Sequence, residues 1–347
     1  QCIAYSNNRG RTFTKWSGNP ALKNISADDR DPKVFWHKPT KRWVMALYVP
    51  VKDGDKKTAD GKPAMIQTIQ FYASPNLKEW TFLSQLDGFF ECPDIFELPV
   101  DGDGRNTRWV VFGANGEYLI GRFDGTTFTK ESGKHKGDFG KNFYAAQTFS
   151  DIPESDGRRI LIGWMNGGKY PGMPFNQQMT FPCELTLRTT PEGIRMFKWP
   201  VKELETLRVR EATAVVHRQG GFGFRSAIPG VDLLDVNAEF EVADNGKISF
   251  TVRGNDFTWT AANKQIEGLG RSMPLAPVNG RLKLRLLMDR TSIESFGNDG
   301  AVVMSSCFLP KGPDRDVTFS ISCQFAKVAA IRPYELKSAW PHAASRP

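Results

Sequence analysis

The chain has 347 residues, of which 40% are hydrophobic and 24% charged, so it can bury a large core and is long enough for two domains. Its net charge is +8, but lysine and arginine are scattered and form no long basic run, which argues against nucleic-acid binding. No apolar run of about 18 residues occurs, so no membrane-spanning helix is expected. The five cysteines lack CxxC spacing and the four histidines lie apart, which predicts neither a metal site nor a disulfide framework.

Short alternating runs rich in Val, Ile, Phe, Tyr and Trp recur throughout the chain and predict an all-β protein. In the first 200 residues these runs form packets of four, the pattern expected of β-propeller blades. The packets read PKVFWH, RWVMALYV, IQTIQFYAS, EWTFLSQ; PDIFEL, RWVVFGA, EYLIGRFD, TFTKES; and FYAAQTFS, RILIGWMN, CELTLRT, GIRMFKWP.

Three packets and the tail of a fourth are fewer than the roughly four or more blades that a closed ring needs. The first residues, CIAYSNNRG, have the pattern of the middle of a strand and its turn, so we expect the chain to start partway through a fold. We therefore predict an incomplete propeller over residues 1–200.

The segment VKELETLRVRE after Pro200 is the best helix candidate, and we interpret residues 201–211 as a linker. Short strands return in residues 212–347, with hairpin turns expected at Asn245-Gly246, Asn279-Gly280 and Asp299-Gly300. This density of strands predicts a C-terminal β-sandwich domain.

Two carboxylates stand at equivalent places in the first and second packets. Asp31 and Glu91 lie just before the innermost strands, and Pro32 and Pro93 fall in register. Inner strands of a propeller line its central channel, so polar residues before them can converge on one ligand. Each acid could instead be an ordinary turn residue, but their shared register favours a common site.

Paired carboxylates indicate glycoside cleavage, in which one acid protonates the leaving oxygen and another group stabilises positive charge on the sugar. Glu91 has apolar neighbours, which should raise its pKa and suit it to proton donation. Asp31 follows Arg30, and this cation should keep Asp31 ionised. The two acids are thus expected to differ in protonation.

The tripeptides Arg30-Asp31-Pro32 and Glu91-Cys92-Pro93 resemble two signature motifs of glycoside hydrolase family 32. The segments SNNRGRTFTKW, FYAAQTF, ILIGWMN, FPCELTLR and LLMDRTSIESFGNDG are similar to family segments in the same order. The resemblance covers essentially the whole chain. It implies a five-bladed propeller, with the first blade and part of the second absent here, followed by a β-sandwich.

The resemblance also implies retaining hydrolysis of terminal β-fructofuranosyl linkages in levan, inulin or sucrose, without cofactor or metal. Carried over by motif, Glu91 would be the acid and then the base, Asp31 would bind ring hydroxyls, and Arg30 would contact the fructosyl unit. Candidate substrate-binding residues at the sugar-binding wall are Tyr144, Gln147 and Trp164.

The family's nucleophile is an Asp in a Trp-Met-Asn-Asp-Pro-like motif, and no such motif occurs in these residues. A retaining enzyme needs that nucleophile. Asp28, Asp29 and Asp94 are nearby carboxylates, but none stands in a matching motif.

Two alternatives stay open: a catalytically inactive fructan-binding propeller fragment, and a fructosyltransferase that uses the same acids with another acceptor. The motifs leave open whether β2,6 or β2,1 linkages are preferred. Because a polymeric fructan does not readily enter a cell, we expect a secreted or periplasmic protein, with the odd cysteine count favouring the cytoplasm instead.

Overall fold

The structure is a computed structural model that describes residues 1–211, 216–218, 222–228, 233–309 and 317–340. The chain forms two compact units, one of residues 1–136 and 145–157 and the other of residues 137–144 and 158–347. The described residues contain β-strands and two short 3₁₀ helices. No helix among them has the length and apolar character needed to cross a bilayer.

The first unit contains a small two-stranded sheet, a four-stranded antiparallel sheet over residues 30–87, and a packet of four antiparallel strands over residues 94–130 that belongs to a larger sheet. A further short strand over residues 135–136 pairs with the strand over residues 117–123. The strands are β1 (Ala4–Tyr5), β2 (Thr14–Lys15), β3 (Arg30–His37), β4 (Arg42–Lys57), β5 (Pro63–Ser74), β6 (Thr81–Asp87), β7 (Asp94–Val100), β8 (Asp103–Phe112), β9 (Glu117–Phe123), β10 (Phe128–Lys130) and β11 (His135–Lys136). They coincide with the first two predicted packets.

The two packets of the first unit share one apolar core. Alternating residues of the central strands face inward, as the period-2 pattern predicts for strands. Buried members come from both packets and include Val44, Phe71, Ile95, Val111 and Phe123. This packing fixes the starts of β3 and β7, where the predicted acids lie.

The third predicted packet corresponds to four strands as well. Strand β12 (Tyr144–Thr148) runs from the second unit into the first, and β13 (Arg159–Met165), β15 (Cys183–Thr190) and β16 (Gly193–Pro200) belong to the second unit. Strand β15 pairs antiparallel with β13 and β16, and the short β14 (Gln178–Met179) pairs with β13. The predicted helix is a 3₁₀ helix over Lys202–Leu207.

The remaining strands form a large antiparallel sheet system around a second apolar core. They are β17 (Arg208–Glu211), β18 (Val216–Arg218), β19 (Phe222–Ile228), β20 (Leu234–Val252), β21 (Asn255–Thr260), β22 (Gln265–Gly268), β23 (Arg271–Pro274), β24 (Arg281–Met288), β25 (Ser292–Gly297), β26 (Val302–Cys307) and β27 (Val317–Leu336). A second 3₁₀ helix covers Asn298–Gly300. Because β17 pairs with β27, residues 208–211 join this sheet. The predicted domain boundaries themselves stay a prediction.

Two of the three expected hairpin turns are present. Asn279 and Gly280 both have left-handed backbones and lie between Val278 and Arg281, which bond to each other. Asp299 and Gly300 are also left-handed and connect β25 to β26. The third expectation was wrong, because residues 245 and 246 lie inside β20, at a register shift where both halves of the strand continue to pair with β27.

Candidate active site

Asp31 lies in a β-bulge at the start of β3. Arg30 pairs with Tyr48 and Lys33 pairs with Ala46, so two residues of β3 face one residue of β4. Asp31 has a φ of 60°, in the left-handed region that a non-glycine residue occupies only when its surroundings hold it there. Bulges of this kind redirect a side chain out of the regular alternation. The bulge therefore explains how an acid comes to stand at the head of an apolar strand.

Glu91 lies in an equally unusual backbone segment just before β7. Glu91 and Cys92 are consecutive left-handed residues, with φ values of 49° and 43°. The backbone N–H of Ala114 donates to the carbonyl oxygen of Glu91 at 3.1 Å and holds the segment against β8 and β9. Each such backbone costs about 1–3 kcal/mol, so the turn is kept in place by the packing around it.

Arg30 brings the two acids to one point. Its Nε lies 3.1 Å from Glu91 Oε1 and 3.9 Å from Asp31 Oδ2, so these two carboxylate oxygens are within about 7 Å of each other. Its Nη2 also bonds Glu91 Oε1. The Asp31 and Glu91 side chains are 34% and 20% exposed. The two predicted acids therefore lie close together and are both partly exposed, and their catalytic roles stay a prediction.

The pairing within this site differs from the expectation. Arg30 was expected to keep Asp31 ionised, and it lies 3.9 Å from that carboxylate, but its direct hydrogen bonds go to Glu91 and to Asp28. The apolar flanks of Glu91 were expected to keep that acid protonated, whereas a guanidinium contact favours an ionised carboxylate.

Arg30 is held on several sides. Its Nη1 lies 2.5 Å from Asp28 Oδ1 and donates to the carbonyl oxygen of Asp28 at 2.6 Å. Its guanidinium carbon lies 4.8 Å from the centre of the Tyr48 ring and 5.8 Å from that of Phe90. Hydrogen bonds to Asp28 and then to Glu91 raise the pKa of Arg30 further above its ordinary value. The site therefore contains a fixed positive charge.

Cys92, which was expected only to be an apolar flank of Glu91, contacts Asp31. Its backbone N–H donates to Asp31 Oδ2 at 3.1 Å, and its thiol lies 3.4 Å from the same oxygen. Burial, together with the negative charge of Asp31, raises the pKa of the Cys92 thiol to about 12. The thiol is therefore protonated at neutral pH and can act as a donor to Asp31.

The three predicted wall residues occur in two groups. In the first unit, Gln147 Nε2 lies 3.3 Å from the carbonyl oxygens of both Cys92 and Pro93. In the second unit, the rings of Tyr144 and Trp164 lie 6.2 Å apart at an angle of 64°, and Trp164 is 37% exposed. Direct contact of these residues with sugar stays a prediction.

The three carboxylates considered as substitute nucleophiles are engaged in other contacts. Asp28 contacts Arg30, and Asp29 accepts hydrogen bonds from the backbone N–H groups of Ile25 and Ser26. Asp94 is fully buried and forms an ion pair with Lys33. That ion pair was not predicted, although opposite charges directly after two in-register prolines are a signal that could have revealed it. Within the described ranges, no cluster of three or more His, Cys, Asp or Glu residues could hold a metal ion.

Comparison with known proteins adds to this geometry. The chain superposes on the crystal structure of an exo-inulinase from Aspergillus awamori with a TM-score of 0.81 at 22% identity, covering 98% of this chain and 74% of that one. The same agreement holds for a β-fructofuranosidase from Schwanniomyces occidentalis, with a TM-score of 0.78 at 21% identity, covering 97% of this chain and 75% of that one. The fold class of this chain is therefore all-β, with a β-propeller followed by a β-sandwich, as predicted.

Family models identify the chain more narrowly. Residues 1–200 match the glycosyl hydrolases family 32 N-terminal domain, and residues 203–335 match the family 32 C-terminal domain. The chain therefore belongs to glycoside hydrolase family 32. It is 36% identical to a levanase of Bacillus subtilis over 98% of its own length and 55% of that protein. It is 31% identical to a levanase of Bacillus sp. strain L7, of which it covers 41%. The chain thus spans about half the length of these relatives.

Proposed function

We propose that this protein hydrolyses terminal β-D-fructofuranosyl linkages in fructans or sucrose with retention of configuration. The observation that carries the proposal is the convergence of Asp31 and Glu91 on the Arg30 guanidinium in a partly open site. Similarity to levanases and exo-inulinases supports fructan, levan or inulin, as the substrate. The name of one relative, an extracellular exo-inulinase, supports a secreted location.

Each residue has a separate role in the proposed reaction. The glycosidic bond breaks as a carboxylate nucleophile bonds to the anomeric carbon, and Glu91 donates a proton to the leaving oxygen. Glu91 later takes a proton from the water that displaces this nucleophile. Asp31 accepts hydrogen bonds from ring hydroxyls and stabilises positive charge on the sugar. Arg30 contacts the fructosyl unit, and Tyr144, Gln147 and Trp164 are proposed substrate-binding residues. No cofactor or metal takes part.

The contact between Arg30 and Glu91 adds a condition to this scheme. Glu91 must hold a proton before the leaving group departs, and the guanidinium opposes that proton. We infer that the hydroxyls of a bound fructosyl unit compete with Glu91 for the Arg30 guanidinium, which makes protonation of Glu91 easier. Arg30 would then couple sugar binding to the readiness of the acid.

A second candidate is a protein that binds fructosyl sugars without cleaving them. It is favoured by one observation, the lack of a Trp-Met-Asn-Asp-Pro-like motif among the 347 residues. A retaining mechanism needs a carboxylate nucleophile in addition to Glu91 and Asp31. The proposal therefore assigns to these residues the acid/base and the ring-binding groups but not the nucleophile.

The test measures fructose released from levan and inulin by the full-length protein and, separately, by this 347-residue chain. We expect release by the full-length protein and a loss of about 100-fold or more in its Glu91→Gln variant. Glu97→Gln is the matched control, because Glu97 is an exposed carboxylate on the strand that follows Glu91, and it should act like the parent.

Each other outcome has a definite meaning. If Glu91→Gln cleaves levan at the parental rate, Glu91 is not the acid. If the full-length protein binds levan but releases no fructose, the binding protein is the better description. Fructose released by the 347-residue chain alone would show that a carboxylate outside the family's motif serves as the nucleophile.

A further inference from the structure

Two oppositely charged residues directly follow the two motif prolines. Lys33 comes after Pro32 and Asp94 comes after Pro93, and Lys33 Nζ lies 3.3 Å from Asp94 Oδ1. Asp94 is completely buried and Lys33 is 8% exposed. Removing two charges from water costs several kcal/mol for each ion, and their attraction often only offsets that cost. Stability alone is therefore a weak reason for this pair.

Thr148 joins the pair to a third inner strand. Its backbone N–H and its hydroxyl donate to Asp94 Oδ2 at 2.6 Å and 2.7 Å. Lys33 Nζ donates to the carbonyl oxygen of Thr148 at 2.8 Å. These directional bonds connect β3, β7 and β12 at one buried point. The neighbouring Gln147 amide, which contacts the carbonyl oxygens of Cys92 and Pro93, holds the same turn from outside.

The buried cluster lies very close to the two acids along the chain. Asp31 precedes Lys33 by two residues and Glu91 precedes Asp94 by three, and a proline stands in each interval. Proline fixes its own φ and restricts the residue before it, so each interval is stiff. The left-handed backbones of Asp31 and Glu91 persist only where the surroundings hold them. A shift at the ion pair is therefore passed on to both carboxylates.

We propose that Lys33, Asp94 and Thr148 form a positioning unit that sets the separation between Asp31 and Glu91. None of the three touches the sugar in this proposal. The inference rests on the proposed function, because it assigns the unit the task of aiming Glu91 at the leaving oxygen. A misaimed acid should impair departure of a leaving group that needs a proton more than departure of one that does not.

The experiment compares kcat/KM for levan with kcat/KM for p-nitrophenyl β-D-fructofuranoside, whose aryloxide leaves without protonation. Each kcat/KM value reports on the steps from free enzyme and substrate through departure of the leaving group. In the full-length protein, we expect Asp94→Asn to lower kcat/KM about 100-fold on levan but about tenfold or less on the aryl fructoside. Rates are normalised to the folded fraction, measured by thermal unfolding.

A matched control is available in the other unit. Asp138 is a fully buried carboxylate 2.7 Å from Lys198 Nζ, and Lys198 is 4% exposed. Asp138→Asn also removes a buried carboxylate from a lysine, at a place that does not adjoin the two motifs in sequence. It should lower stability while leaving the ratio between the two substrates at the parental value, because a smaller folded fraction affects both substrates equally.

A milder variant keeps the test decisive if Asp94→Asn fails to fold. Thr148→Val removes one hydroxyl donor to Asp94 and keeps the size of the side chain and the backbone N–H. It should shift the substrate ratio in the same direction by about threefold to tenfold. If the parent cleaves both substrates and the variants lower kcat/KM equally for both, the positioning unit is overturned. A parent that cleaves neither substrate overturns the proposed function instead.

Discussion

Each unit of this protein contains a buried ionic cluster, and the two clusters differ in charge balance. In the first unit, one ammonium group meets one carboxylate, Lys33 with Asp94. In the second unit, Lys198 Nζ lies 2.7 Å from Asp138, and Ser305 Oγ lies 2.7 Å from an Asp138 oxygen and 3.2 Å from a Glu294 oxygen. Two buried carboxyl groups thus interact with this lysine, Asp138 by direct contact and Glu294 through the attraction of its charge. Balanced charge in one cluster contrasts with an excess of acid in the other.

The difference in balance predicts a difference in behaviour. Burial raises the pKa of Glu294 to about 7, although Lys198 and a hydrogen bond from the Phe181 backbone act in the opposite direction. The second cluster should therefore titrate near neutral pH, as a carboxyl group forced to stay neutral does. The first cluster adjoins the turns with Asp31 and Glu91, so changes in that cluster should alter the rate of catalysis.

The largest expected effect comes from removing the lysine that interacts with both carboxyl groups. Lys198→Met leaves Asp138 and Glu294 without that ammonium group, so we expect the free energy of unfolding at pH 7 to fall by about 3–5 kcal/mol. Urea denaturation measures the change. Lys283→Met is the control, since Lys283 forms an exposed ion pair with Asp299 that is worth about 1 kcal/mol or less. Equal losses in the two variants would contradict the comparison.

The next effect is a dependence of stability on pH that comes from Glu294. Its pKa is raised from 4.5 to about 7 in the folded protein, so its stabilisation is complete below pH 4.5 and is lost as pH rises through 7. Across this window it should reduce the free energy of unfolding by roughly 3 kcal/mol. Glu294→Gln cannot ionise and should lack this part of the decline.

Urea denaturation between pH 4 and pH 8 compares the parent with Glu294→Gln. Glu192→Gln serves as the control, because Glu192 is exposed in a turn and should leave the parental pH profile intact. Parallel pH profiles for the parent and Glu294→Gln would show that Glu294 is already ionised in the folded protein. The excess of acid in the second cluster would then not cause a titration near neutral pH.

The sequence predicted the strands more completely than the contacts of the site. Alternation of apolar residues is a local property, so the packets appear in the structure as β3–β10 with little change. The hydrogen bond from Arg30 to Glu91 forms where the chain has a bulge and left-handed backbones, and alternation does not encode these features. The residues 245 and 246 failed as a hairpin for a related reason, since pairing with β27 overrode a favourable turn dipeptide.

The smallest effect concerns two half-buried or buried thiols, one in each unit. Cys92 in the first unit has a pKa raised to about 12 by burial and by Asp31, and Cys183 in the second unit is fully buried, which raises its pKa as well. In native protein treated with iodoacetamide, the exposed Cys2 should be labelled first and Cys92 at least about tenfold more slowly. Mass spectrometry of the labelled peptides measures both rates.

Asp31→Asn separates the two causes at Cys92. It removes the negative charge beside the thiol, so labelling of Cys92 should become about two- to tenfold faster, while labelling of Cys183 should not change. If Cys92 in the parent is labelled as fast as Cys2, the bond between Cys92 and Asp31 does not persist in solution. Arg30 and the backbone N–H of Cys92 would then be the contacts that join Asp31 to the Glu91 turn, and the separation of the acids would depend more heavily on the buried pair behind them.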